Sequence, residues 1–140
     1  MKLDGYLRAH EFMRVERPPN LGEADTEEVP FLYLLGEMIV VGLNRGNELE
    51  DLTLNASNVT VRTGPAEGTG PPPGDYVALT VRGSGDWTPE WLWPPGESSR
   101  NKVYCNVEAR VPQSGAVYAY SRQLDGEGSV TVYLRRLRAP

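Results

Sequence analysis

The chain is poor in the residues that most often carry chemistry, since its 140 residues include one cysteine and one histidine. A single cysteine cannot form an internal disulfide, so a secreted disulfide scaffold is excluded. The lone imidazole of His10 cannot bind a metal without carboxylate or thiol partners, and no metal-ligand spacing surrounds it. Neither a nucleotide-binding glycine loop nor a nucleophile elbow occurs. We therefore expect no metal and no cofactor, and no catalytic residue can be assigned.

Long apolar runs and basic stripes are also lacking. The most apolar segment, residues 31–43, is interrupted by Gly36 and Glu37 and is shorter than the roughly 20 residues that cross a bilayer. The first residues lack the apolar stretch of a signal peptide. A formal net charge of −5 disfavours binding to a phosphate backbone. We expect a cytoplasmic protein that binds neither membranes nor nucleic acid, with an acidic N-terminal half that would steer a basic partner.

Glycine and proline, by contrast, are abundant. The 15 glycines and 12 prolines favour short elements joined by turns over a helical bundle. A length of 140 residues fits one domain, residues 1–140. Apolar and polar residues alternate over residues 75–82, and the apolar, β-branched run at 38–41 suits a buried strand. We predict an all-β fold, either an antiparallel β-sandwich or a flattened β-barrel, in which residues 31–43 contain a strand.

Two turns define a C-terminal three-stranded meander over residues 102–136. Residues 102–111 alternate as a strand, and residues 113–115 suit a three-residue hairpin loop, in which paired residue numbers sum to 228. Asp125-Gly126 is a two-residue turn, in which paired numbers sum to 251. Both registers place the apolar residues on one face, which supports the meander.

The two registers divide the meander into an apolar and a polar face. Cys105 falls on the apolar face, where it would be a small buried hydrophobe rather than an exposed nucleophile. The polar face combines tyrosine and arginine, which are enriched in protein interfaces. Ordinary cross-strand pairing on a solvated sheet gives the same pattern. The candidate binding residues on this face are Tyr118, Tyr120, Tyr133, Arg110 and Arg122.

All the tryptophan of the chain lies within seven residues, at Trp87, Trp91 and Trp93. Tryptophan provides a large contact area at low entropic cost, so the segment is a candidate recognition loop. The alternative is a plug that closes one end of the core, and this is the commoner fate of aromatic residues. We expect the plug, with two of the three rings buried and one partly exposed.

These patterns favour a non-catalytic binding module that engages a protein partner or self-associates. One alternative is a small-ligand-binding β-barrel with the tryptophan segment at its mouth. A third hypothesis is a hydrolase or isomerase that uses carboxylates the sequence does not locate.

Overall fold

The computed structural model describes residues 1–8, 13–62, 70–94 and 104–137, except for the side chains of Glu90, Trp91 and Cys105. The elements in chain order are β1 (Arg14–Glu16), α1 (Glu28–Asn44), a 3-10 turn (Leu49–Asp51), β2 (Thr53–Val61), β3 (Gly74–Ser84), β4 (Glu90–Trp93), α2 (Cys105–Gln113), β5 (Tyr118–Leu124) and β6 (Glu127–Arg135).

The strands form one six-stranded mixed sheet in the order β1-β2-β3-β6-β5-β4. Only β1 pairs in parallel, with β2, and the other neighbours are antiparallel. The sheet is open, with β1 and β4 as its edges, so it does not close into a barrel. The predicted β-rich character is confirmed. In the described part of the chain, however, the layer that covers the sheet is helical rather than a second sheet.

The core lies between one face of this sheet and the two helices. Alternate residues of each strand point to the same face, and on this face β3 and β6 carry only aliphatic side chains along most of their length. Helix α1 packs its inner side against β3, and α2 packs beside α1 and against β4 and β5. The main contributors are Val77, Leu79, Val81, Val130, Val132 and Leu134 from the sheet, and Phe31, Leu34, Met38, Val107 and Val111 from the helices.

Helix α1 replaces the strand that we predicted at residues 31–43. That prediction was wrong because the helix is apolar on its outer side as well as its inner side, which hides the 3.6-residue period. Other helix signals are present. Glu28 lies in the first turn, where it complements the helix dipole, and Pro30 occupies an early position that needs no N–H donor. Gly46, with φ of 89°, follows the C-terminus.

Helix α2 replaces the first strand of the predicted meander. The error arose because residues four apart share a face in a helix and also in a strand, so Val107 and Val111 satisfy both periods. Buried Tyr104 and Ser114 complete a helical stripe. Gly115 does adopt the predicted left-handed conformation, with φ of 81°. It ends a helix there, because its N–H and that of the next residue bond to carbonyls of the last turn.

The second hairpin of the meander is confirmed residue by residue. Strands β5 and β6 pair Leu124 with Glu127 and Tyr118 with Tyr133, so paired numbers sum to 251 as predicted. Asp125 has φ of 52° and Gly126 has φ of 78°. Two consecutive positive φ values make the tight turn whose twist matches that of the paired strands.

Trp87 closes one end of the core. Its side chain is 2% exposed, and its indole N–H donates to the Ser84 carbonyl at 3.1 Å. The ring lies against Gly128 of β6, where a Cβ atom would overlap it. This geometry agrees with the plug interpretation for Trp87. Trp93 is partly buried against the same core, and the Trp91 side chain lies outside the described atoms.

We expect Gly128→Ala to destabilise the protein by about 3 kcal/mol, because the new methyl group must displace the Trp87 ring from a packed site. Urea unfolding followed by tryptophan fluorescence measures this loss. Gly5→Ala is the matched control, since a Cβ at Gly5 has no atom within 4 Å. Equal unfolding midpoints for the two variants would contradict the packing account.

Candidate binding face

The side of the sheet that faces away from the helices is called the open face here. Its centre is formed by β3, β6 and β5, and its side chains alternate with those of the core. Strand pairing brings Tyr133 opposite Ala78 on one side and Tyr118 on the other. The open face at these strands includes Tyr76, Ala78, Thr80, Arg82, Tyr118, Tyr120, Arg122, Ser129, Thr131, Tyr133 and Arg135.

Four tyrosines form a cluster on the open face. The Tyr133 ring is central, with its centroid 5.8 Å from those of Tyr76 and Tyr118 and 6.3 Å from that of Tyr120. The rings are tilted or edge-on, which is the favourable geometry for aromatic pairs. Tyr76 is buried and donates its hydroxyl proton to the carbonyl of Pro72. The cluster is therefore held together by ring packing and by this hydrogen bond.

Three tyrosines of the cluster have a raised pKa. Burial raises the pKa of the Tyr133 hydroxyl to about 12, with further contributions from Tyr120 and Tyr118. Burial is also the main cause that raises the pKa of Tyr76 and of Tyr118. At neutral pH these hydroxyls are hydrogen-bonding groups without charge.

A groove of about 440 Å³ continues the open face beyond the tyrosine cluster. Its floor is polar: the hydroxyls of Thr80 and Thr131 are hydrogen-bonded at 2.8 Å across β3 and β6. Tyr120 forms one wall, and the β5–β6 turn forms another. A groove with hydroxyl groups on its floor and an aromatic wall offers both hydrogen bonds and flat contact area.

The two arginines of the groove differ in their partners. Arg82 forms ion pairs with Glu16 at 3.1 Å and with Glu127 at 3.3 Å, which hold it across three strands. Arg122 is exposed and stacks on the ring of Tyr120, with its guanidinium carbon 5.1 Å from the centroid. Stacking fixes the guanidinium while its N–H edges stay available. Within the described residues, Arg122 has no ion pair.

The structure brings together four of the eight candidate binding residues: Tyr118, Tyr120, Tyr133 and Arg122. The placement of Arg110 on this face was wrong, because it lies on α2, where its guanidinium carbon is 4.7 Å from the centroid of Tyr33. Trp87 and Trp93 pack against the core rather than on this face. Trp91 pairs with Tyr120 in the register of β4 and β5, and its side chain lies outside the described atoms.

Tyr76 and Thr80 are members of the face that the sequence did not reveal. The alternation of apolar and polar residues along β3 is the signal that could have revealed them, because it places them on the other side of the strand from Val77. The pairing of β3 with β6 could not be read from any turn, because about 40 residues separate the two strands.

In residues 1–8, 13–62, 70–94 and 104–137, no three His, Cys, Asp or Glu side chains are grouped as metal ligands. His10 lies outside these ranges. No described helix combines the length and apolar content that a membrane span requires. No protein-family model matches the chain, and no curated protein proved similar to it. Function is therefore argued from the site itself.

We expect stability to fall at high pH because of Tyr133. Its pKa is about 12 in the folded chain, above the ordinary value of 10.0, so folding favours the neutral phenol. This contribution is fully present below about pH 10 and is lost as the pH rises toward 12. Tyr133→Phe should therefore lose less melting temperature than the native chain as the pH rises. Circular dichroism between about pH 8 and about pH 11.5 measures this difference.

Tyr33→Phe, outside the cluster, is the control. Identical pH profiles for Tyr133→Phe and the native chain would contradict the assignment.

Proposed function

We propose that the protein is a non-catalytic binding module that engages a protein partner through the open face. The observation that carries the proposal is the pair of Tyr120 and exposed Arg122, which border the packed tyrosine cluster on a sheet face that no described helix covers. Tyrosine and arginine dominate the energetically important positions of protein interfaces. Their ring stacking reduces the side-chain entropy that binding would otherwise cost.

The groove suggests the chemistry of the partner. Among the described residues, Arg122 forms no ion pair, whereas Arg82 of the same groove forms two. Arg122 therefore favours an acidic side chain of the partner. The Tyr120 ring beside it favours an apolar or aromatic neighbour of that acid. The hydroxyls of Thr80 and Thr131 add polar contacts at the floor. We infer a protein segment that presents an acidic and an apolar side chain together.

The alternatives receive less support from this geometry. A barrel-type ligand binder needs an enclosed interior, and the sheet is open. A hydrolase or isomerase needs free acids in the groove. Of the two acids in its wall, Glu127 is ion-paired with Arg82, which leaves the carboxylate of Asp125 without a second free acid beside it in the groove lining. No observation favours catalysis over binding.

The experiment begins with affinity capture from the native host and identification of the retained proteins by mass spectrometry. The partner is then purified and titrated against variants by calorimetry. We expect Arg122→Glu to weaken binding at least about tenfold and Tyr120→Ala by a similar factor, as for residues at the centre of an interface. Arg122→Lys should restore only part of the loss, because lysine lacks the planar stacking surface.

Arg8→Ala is the matched control, since Arg8 is exposed and follows the core residue Leu7 on the helical side of the sheet. This variant should bind as the native chain does. The proposal would be wrong if every retained protein bound Arg122→Glu as tightly as it bound Arg8→Ala.

A further inference from the structure

The outer side of α1 is an apolar stripe, although it faces solvent. Four aliphatic residues on this side are between 37% and 60% exposed, and Tyr33 is 54% exposed. They recur at helical spacing, so they form one continuous strip along the helix. No charged residue interrupts the strip, which consists of Val29, Leu32, Tyr33, Gly36, Val40 and Leu43.

Gly36 at the centre of the stripe has no role within the described chain. A Cβ atom there would have no atom within 4 Å. Gly42 of the same helix is different, because a Cβ atom there would meet Leu52 at 2.6 Å. Glycine in the middle of a helix is unfavourable relative to alanine. A glycine that nothing in its own chain requires is explained by close approach of another backbone.

The stripe is complementary to itself. Its residues are arranged evenly about Gly36, so an antiparallel copy with a two-fold axis at Gly36 places Val29 opposite Leu43 and Leu32 opposite Val40. Antiparallel packing also opposes the two helix dipoles. The arrangement therefore buries apolar residues on apolar residues along the whole stripe.

Charges beside the stripe are complementary under the same symmetry. Arg110 of α2 lies over Tyr33, and Glu37 follows Tyr33 one turn later on the same flank of α1. The two-fold axis sets this flank of one copy against the same flank of the other, so Arg110 of one copy faces Glu37 of the second. In the described part of the chain, neither residue has an ion pair of its own. Two such contacts would form for each dimer.

We propose that α1 is a self-association surface, in which two copies of the chain pack antiparallel across Gly36. This inference is independent of the partner proposed for the open face, which lies on the opposite side of the sheet. A membrane surface is a poorer occupant, because helices that lie on membranes carry lysine and arginine beside the apolar strip. Helix α1 has no lysine or arginine and contains two glutamates.

Sedimentation velocity tests the proposal on the whole chain. A helix of this length provides a strip about 25 Å long, which is small for a stable interface. We therefore expect a micromolar dimer, with the mass rising from 15.5 kDa to twice that value across roughly 1–500 µM. A strict monomer over this range would overturn the proposal, and so would a monomer that instead binds phosphatidylcholine–phosphatidylserine vesicles.

Gly36→Ala separates an effect on dimerisation from an effect on the stability of the folded chain. Alanine is the better helix former, so the variant should melt at a higher temperature than the native chain at monomeric concentrations. Its methyl group keeps the two backbones apart, so dimerisation should weaken by about tenfold. A more stable variant with unchanged dimerisation would overturn the role of Gly36.

Charge exchange tests the predicted contact between copies. Glu37→Arg alone and Arg110→Glu alone should each weaken self-association, because like charges then meet across the axis. Mixing the two variants should restore the dimer as a heterodimer, since each chain supplies the charge that the other lacks. Mixing Glu50→Arg with Lys2→Glu, two exposed positions away from the stripe, controls for net charge. If this control pair formed heterodimers as readily as the Glu37→Arg and Arg110→Glu pair does, the proposed contact between Arg110 and Glu37 would be wrong.

Discussion

One-sided packing of the sheet is the constraint on which the rest of the structure depends. The helices cover the face on which the central strands present aliphatic side chains, such as Leu79 of β3 and Val132 of β6. Because side chains alternate along a strand, the residues between these aliphatic positions lie on the other face, and they include Thr80, Thr131 and Tyr133. The composition of the open face is thus a consequence of how the core is packed. The pairing of β3 with β6 then decides which of those residues become neighbours.

The open face is stabilised without a helical layer among the described residues, although the segment before β3 contacts it, since Pro72 accepts a hydrogen bond from Tyr76. Tyrosine rings pack on one another, and burial raises the pKa of the Tyr133 hydroxyl. Arg82 is neutralised by acids from β1 and β6. These contacts order the face, yet they leave Arg122 and the edge of Tyr120 available. Arg122 has no ion pair among the described residues. A polar face of this kind suits the proposed recognition role, because ordered side chains lose little conformational entropy on binding.

The sequence predicts some of this structure and misses other parts for physical reasons. Alternation predicts β3, and the Asp125-Gly126 turn predicts the register of β5 with β6, because a two-residue turn permits one pairing. Helix α1 escapes prediction because its outer stripe is as apolar as its buried side. Helix α2 escapes it because Val107 and Val111 fit both periods, and this single error moves Arg110 from α2 to the polar face. The neighbours of Tyr133 on β3 depend on long-range pairing, which no local signal encodes.

The most direct test of the central claim is photo-cross-linking in cells of the native host, with benzoylphenylalanine in place of Tyr120. A probe on the open face should yield one discrete adduct between this chain and another protein, whereas the same probe at exposed Glu50 should not yield it. The account would be contradicted if the probe at Tyr120 gave no adduct, or if both positions gave the same adducts. Either result would mean that the ordered tyrosine face is not where a partner binds.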